Sequence, residues 1–463
     1  MNSAGPTPSP VAAAQADWRT CLDDLPDQAE FLAATRDRQL AAELTISGAP
    51  AMVVAAPELL TAGQLGADQQ VVSAVAECLI AAGQLALADP GLRQRYLADW
   101  ALDPAVADLM SLASGYPEEM VSGRFDGARM PEGLAILEYN GGLPGGLMPT
   151  ESAIAELRAW PFFDSWAATH GASAFDSSAI TLRGLVRTWH DFGGSGTPWV
   201  VLVAPRELHD YVVRGAAHLT RAAARESIEF SVAEPSELTY STSGLTIAGR
   251  PVEVVLRGFF TPMISALGDR LDALKAGLRA GQVCMVSSLR AGLYGHKALF
   301  ALVTDPNLDL PVDPHALSTA RAHMPWTRMM AAGKATTAGG EVVELPEYAL
   351  ADQANLVLKP AAGFGGAGVV LGWETPATAW SEAVADALAA GGHVLQQRLQ
   401  LPTETFPTLA PGFPVRQFTA DSNPFVINRK ISGYFLRLSS AGGITNTAGG
   451  SGSVAATFVL PVE

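Results

Sequence analysis

Arg124-Phe125-Asp126, followed by Leu137-Glu138-Tyr139-Asn140, sets the reading of this chain, because it places three oxygen ligands and one guanidinium within a hairpin-sized span. The joining segment, Gly127-Ala128-Arg129-Met130-Pro131-Glu132-Gly133, is rich in turn formers, and Leu134-Ala135-Ile136-Leu137 has the composition of a buried strand. Two adjacent strands would then present Asp126 and Glu138 on one side. Glu138 and Asn140 are two apart and share a strand face. Magnesium takes oxygen ligands and usually keeps one or two carboxylates plus substrate phosphates, so Asp126, Glu138 and Asn140 make a sensible partial shell. A lone Glu-x-Asn at a strand end is more often a turn or capping feature, and a second element is needed.

The second element is Leu356-Val357-Leu358-Lys359-Pro360, which runs into Ala361-Ala362-Gly363-Phe364-Gly365-Gly366-Ala367-Gly368 and then Val369-Val370-Leu371. Glycines let the backbone approach an anion and expose its N–H groups, and the lysine adds a compact positive charge. Gly363, Gly365, Gly366 and Gly368 with Lys359 are therefore candidates for a phosphate cradle. Two familiar phosphate loops are excluded. A Walker loop ends in Gly-Lys-Ser/Thr, whereas here the lysine comes first. The dinucleotide fingerprint continues as a helix, whereas Val369-Val370-Leu371 continues as a strand. A hairpin closing over phosphates remains, beside the bland alternative of an ordinary flexible hairpin.

Together the two elements resemble the ATP-grasp enzymes, in an unusual order. The acidic strand precedes the glycine loop by more than two hundred residues, the reverse of the usual arrangement, so the chain resembles circularly permuted ATP-grasp ligases. Arg124-x-Asp126, the step to Glu138, then Asn140, Pro144 and Glu151, are similar to the synthetase half of the glutathionylspermidine synthase family. Arg257, Lys297, Pro325-Trp326-Thr327-Arg328, Lys359, Gln396-Gln397, Arg437 and Thr445-Asn446 fall in the family's order, from about residue 100 onward. No sign of the amidase domain carried by some relatives is present.

The resemblance implies ATP and Mg2+ as cofactors. It assigns Asp126, Glu138 and Asn140 to the metal, Lys297 and Lys359 to the nucleotide phosphates, and Gln396 or Gln397 to the adenine. Arg124 would steady the transferred phosphate or the acyl group receiving it, and Arg437 would lie near the γ-phosphate. Lys334 competes with Lys297 as second phosphate lysine, with Lys297 favoured by its surroundings. Where many relatives carry Gln-Glu and an Asp after the Asn, this chain has Gln396-Gln397 and Gly141-Gly142, which weakens the adenine assignment and suggests an acceptor loop rebuilt for another substrate. The implied activity is an ADP-forming carboxylate–amine ligase working through an acyl phosphate. The alternatives are a small-molecule phosphotransferase and a non-catalytic nucleotide-binding protein.

The 463 residues suffice for about three domains. The expected class is α/β (α+β), a circularly permuted ATP-grasp fold with a Rossmann-like substrate domain and a helical N-terminal region. The expected boundaries are a disordered leader over 1–16, the helical region over 17–116 and the acidic hairpin over 117–151. The Rossmann-like α/β domain follows over 152–290, and the lid with the remaining nucleotide-binding core over 291–463. In the middle segment, helical patterns at Ile180–Trp189 and Leu208–Ala223 alternate with strands at Trp199–Ala204 and Glu229–Val232, as in a parallel α/β layer. Arg257 closes the strand Val252–Leu256, where ligands of open α/β sheets gather, and a solvated strand-end arginine is the equal alternative.

A net charge of −16 speaks against nucleic acid and anionic lipid as partners. Cys21, Cys78 and Cys284 are too few and scattered for a disulfide framework or zinc site, and read as free or buried thiols. The amino terminus lacks a basic segment followed by an apolar core, and no apolar run approaches the roughly eighteen residues that span a bilayer, so a cytoplasmic protein is expected. The partners expected are a small-molecule or short-peptide carboxylate and an amine, with a two-fold homodimer as the commonest assembly.

Overall fold

A computed structural model describes residues 9–98, 104–261, 263–363, 365–439 and 452–462. Its centre is a six-stranded antiparallel sheet that joins distant parts of the chain. Ser122–Met130 and Gly133–Gly141 form the expected acidic hairpin, turning at Pro131-Glu132. Ser122–Met130 then pairs with Val415–Ile427, which pairs with Lys430–Ser439 and through it with Ser453–Ala455, while Thr403–Pro407 covers the outer part of Val415–Ile427. Within the hairpin Asp126 lies opposite Glu138 and Arg124 opposite Asn140, so all four share one face. A bulge follows Asp126, and there a Cβ on Gly127 would lie 2.1 Å from the Ala135 carbonyl oxygen, so only glycine fits.

The middle of the chain forms a four-stranded, all-parallel sheet in the order Cys284–Val286, Val254–Arg257, Trp199–Val203, Glu229–Ala233. Continuous apolar runs such as Val200-Val201-Leu202-Val203 are what a sheet buried on both faces requires, and these four are buried. Helices Ser177–Asp191 and His209–Arg225 pack with it, the latter crossing over between two adjacent strands. A third sheet, antiparallel, runs Thr327–Met329, His393–Gln397, Leu356–Pro360, Val370–Leu371. Helix Ala377–Ala390 backs it through buried Trp380 and Val384. The glycine stretch therefore links two antiparallel strands, as its flanking residues predict.

Three expectations need correction. The leader does not reach residue 16: helix Pro10–Asp23 begins after Ser9, whose hydroxyl accepts the Ala12 N–H, and its Trp18 packs edge-on against Trp166 at 4.6 Å in an aromatic cluster. Residues 1–8 lie outside the described residues. Helix Ala62–Ala88, with a mean hydropathy of 1.9 over its most apolar stretch, is long and apolar enough by length and composition to cross a membrane, contrary to the expectation of no such run. In this fold 61% of that stretch is buried, with Val71, Val75 and Leu79 packed among residues such as Tyr294 and Leu299. Ser73, Glu77 and Gln84 interrupt the apolar run in sequence, while the average over the stretch stays high. The amino-terminal region is also not wholly helical, because Glu58–Thr61 pairs in parallel with Thr457–Leu460.

Because the Ala135 carbonyl cannot retreat without breaking the hairpin ladder, Gly127→Ala is expected to lower the unfolding free energy by about 2 kcal/mol. A urea midpoint equal to that of the parent would show that the bulge opens freely.

Candidate active site

The acidic hairpin supplies the floor of the site. Arg124 grips Asp126 with two parallel hydrogen bonds, Nε to Oδ1 at 2.6 Å and Nη2 to Oδ2 at 3.0 Å. Asn140 Nδ2 donates to Asp126 Oδ1 at 3.0 Å, and Arg437 Nη2 reaches Asp126 Oδ2 at 3.1 Å from the late strand Lys430–Ser439. Burial alone would push the Asp126 carboxyl up, but Arg124, Arg437 and the Asn140 amide outweigh it and hold it below the usual carboxylate range. Arg437 in turn pairs with Asp421 at 2.6 Å, directly opposite it across the ladder. Burial acts to lower the Arg437 guanidinium, and Asp126 with Asp421 overcomes that, so it remains charged.

The glycine hairpin meets this floor through Lys297. Its ammonium donates to the Gly363 carbonyl at 2.8 Å and lies 3.2 Å from Glu138 Oε2, so one side chain touches both motifs. Its backbone N–H also donates to Ala361 O, which fixes the start of the loop. Lys359 donates to Gln396 Oε1 at 2.6 Å, and Gln396 Nε2 donates to Thr327 Oγ1 at 3.1 Å. Burial lowers the Lys359 ammonium to about 8; Glu138 and Asp126 oppose the shift and Lys297 adds to it. Gly365, Gly366 and Gly368 all take left-handed backbone conformations that side chains resist, which explains the glycine density. Phe364 lies outside the described residues.

The two glutamines separate. Gln396, 1% exposed, faces Lys359, whereas strand alternation turns Gln397 outward into solvent. Lys334 stands exposed on the small ribbon Lys334–Thr336 and Val342–Glu344, and no described contact joins it to these residues. Arg328 is buried and spends its donors on the carbonyls of Thr304, Thr327 and Thr336. Glu151 accepts the backbone N–H and hydroxyl of Ser178, securing the start of helix Ser177–Asp191, and pairs with His218 at 3.1 Å. Thr445 and Asn446 lie outside the described residues.

Arg257 is not solvated. It is 4% exposed, its Nε and Nη1 donate to the carbonyls of Ser287 and Phe259, and burial lowers its pKa to about 10 against the pull of Tyr116 and Tyr139. It borders the Gly141–Gly146 loop. That loop is tied down by Ser122, whose hydroxyl donates to Gly142 O at 2.7 Å, and by Arg124, which also donates to Gly145 O. Asp421 and Asn423 escaped the sequence reading. Asn423 Nδ2 donates to Asp421 Oδ1 at 2.7 Å while its Oδ1 accepts the Gly127 N–H, so it braces the bulge beside Asp126. Their two-residue spacing on an apolar strand was the available signal.

Among the described residues no group of three or more His, Cys, Asp and Glu side chains is arranged to hold a metal by itself. The donor set nevertheless fits magnesium shared with phosphates. Asn140 uses its amide nitrogen on Asp126, which leaves its oxygen open, and Glu138 has one oxygen beyond its contact with Lys297. Asp126, expected as a third ligand, has both oxygens taken by Arg124, Asn140 and Arg437 and instead positions Asn140.

No family model and no curated protein matches this sequence. Among solved structures, the apo form of a glutathione synthetase-like effector from Globodera pallida superposes with a TM-score of 0.57 at 13% identity, covering 97% of this chain and 99% of that one. In fold, the chain is similar to a glutathione synthetase-like protein. A crystal structure of a putative gamma-glutamylcysteine synthetase from Methylobacillus flagellatus KT matches at 12% identity over 88% of this chain and 90% of that one, with a TM-score of 0.41, on which no argument rests. The likeness is one of fold and does not single out the glutathionylspermidine synthase family.

Lys359 gives a pH test. Its folded-state pKa, about 8, lies below the ordinary 10.5, so between these values the unfolded chain binds a proton that the folded chain lacks. Stability contributed by this group therefore rises as pH increases from about 8 to 10.5. Urea unfolding compared at pH 8 and pH 10 is expected to show that rise diminished in Lys359→Met; an identical pH response would mean that the ammonium is not desolvated.

Proposed function

We propose that the protein is an ATP-dependent, ADP-forming carboxylate–amine ligase. The observation that carries this reading is Lys297, within reach of Glu138 on the acidic hairpin and of Gly363 on the glycine loop. Two lysines and two arginines gathered around the facing carboxylates Asp126 and Glu138 suit a triphosphate. The order of the motifs, with the early hairpin completing a sheet of late strands, supports a circularly permuted ATP-grasp arrangement related to the glutathionylspermidine synthase type.

In this mechanism Lys359 and Lys297 hold the nucleotide phosphates, and Arg437 and Arg124 compensate charge on the transferred phosphoryl group. Glu138 and Asn140, the latter oriented by Asp126, would hold Mg2+, which would supply charge neutralisation to the phosphates. The γ-phosphoryl group leaves ADP as the P–O bond to the β-phosphate breaks and a new bond forms to a carboxylate oxygen of the acid. The amine nitrogen then attacks the acyl carbon, inorganic phosphate departs, and the amine loses a proton. The glycine hairpin covers the acyl phosphate because water would hydrolyse it. Both substrates are small molecules or short peptides, and the acidic surface fits a cytoplasmic enzyme, with a homodimer as the proposed assembly.

An ADP-release screen that pairs acids with amines, with product masses recorded, tests the reading. ADP is expected only when both substrates are present, and a phosphorylated product formed without an amine would replace the ligase by a phosphotransferase. Glu138→Gln is expected to reduce ADP formation by about a hundredfold or more with an unchanged far-ultraviolet spectrum. Retained turnover would remove Glu138 from the metal set.

A further inference from the structure

Where the hairpin ends, the Gly141–Gly146 loop, helix His209–Arg225 and the end of strand Val254–Arg257 enclose a cavity of about 170 Å³. Its described walls are apolar, with Leu143, Leu147, Leu202, Leu219 and Phe259, and among the described residues Arg257 is the charged one lining it. Arg257 is almost wholly buried, and no carboxylate pairs with it among the described residues. Its Nη2 is directed at Gly142, 3.3 Å from where a Cβ would stand, so the absence of a side chain there leaves the guanidinium open to the loop. A buried cation facing an apolar chamber without an acidic neighbour is costly unless something supplies the missing charge.

We infer that this cavity binds a carboxylic acid bearing an apolar group of leucine to phenylalanine size, with the carboxylate on Arg257 and the apolar group among the leucines and Phe259. An apolar cavity of about 150 Å³ accommodates a benzene-sized group, which sets the scale. A polyamine would meet a like charge in Arg257. A polar peptide side chain would lose its water against walls that offer it no hydrogen bonds. The occupant counts as a substrate only on the ligase reading, while the binding site itself stands on the geometry.

Calorimetric titration of the full chain without nucleotide tests this with 4-methylpentanoate and 3-phenylpropanoate against acetate, glutarate and isopentylamine. The two apolar acids are expected to bind at least tenfold more tightly than the other three, since each buried methylene contributes about 0.8 kcal/mol. Arg257→Met is expected to lose that preference for acids over the amine. Should that variant misfold, Gly215→Leu answers the same question. Gly215 belongs to the cavity wall inside a helix, an added Cβ there meets no atom within 4 Å, and leucine is the better helix former. It is expected to weaken 4-methylpentanoate binding at least tenfold.

Equal binding of acetate or glutarate, no binding by any of the acids, or undiminished binding by Gly215→Leu overturns the inference. ADP release measured alongside separates the two readings. ADP formed with polar acids but not apolar ones leaves the ligase and removes this cavity assignment. Tight binding of apolar acids without ADP from any acid–amine pair keeps the cavity and removes the ligase.

Discussion

The contact on which the site depends is Asp126 held between Arg124 on its own strand and Arg437 from a strand some three hundred residues later. All three side chains are largely withdrawn from water, where an unpaired charge would be expensive and loss of one partner typically costs about 3–5 kcal/mol. Asp421 supplies the second carboxylate, so two guanidiniums face two carboxylates. Coulombic pairing alone does not explain the arrangement, since apolar residues could fill the space with less desolvation. What it adds is position: the carboxylate, both guanidiniums and Asn140 are locked in fixed directions on one sheet face, which is what preorganised electrostatics requires.

Above that neutral floor the balance changes. Lys297 and Lys359 approach a single carboxylate, Glu138, and Lys359 satisfies itself with the amide oxygen of Gln396 instead of an anion. The excess positive charge, and the burial that depresses Lys359, describe a site short of negative charge. A triphosphate would raise the Lys359 ammonium again by Coulombic attraction, opposing the desolvation that now lowers it. The left-handed glycines at 365, 366 and 368 add no side chains of their own to this space.

Local structure was legible where one period or one turn decided it. Alternation and the Pro131-Glu132 turn gave the acidic hairpin with Asp126 opposite Glu138, and the glycine run between two β-rich segments gave the second hairpin. The parallel layer followed from continuous apolar strands. Pairings across the chain were not legible: nothing local in Asp421-Ser422-Asn423 says that it will brace Gly127 or share Arg437 with Asp126. The same limit applied to Arg257, because a strand-end arginine looks alike in water and at the edge of a cavity until the opposing helix and loop are in place. Helix Ala62–Ala88 was not legible as one apolar element because Ser73, Glu77 and Gln84 break its run, although the helix turns enough of its apolar residues into the core.

Arg124 joins the two halves of the site. Its Nε and Nη2 hold Asp126 on the sheet face, while Nη1 donates to the Gly145 carbonyl of the loop that walls the cavity. Its guanidinium also lies 5.5 Å from the centre of the Phe435 ring, whose other neighbour is Arg437 at 5.6 Å, and the same ring presses where Gly146 lacks a Cβ. The loop thus cannot shift without pulling on the guanidinium that positions Asp126, and Asp126 cannot turn without releasing Arg437. A rigid linkage of this kind fits a reaction whose acid must stay in line with a phosphoryl donor, since misplacement by about 1 Å can cost a hundredfold in rate. The four glycines of Gly141-Gly142-Leu143-Pro144-Gly145-Gly146 let the backbone of this loop lie close to Arg257 on one side and Phe435 on the other, while Leu143 and Pro144 face the cavity.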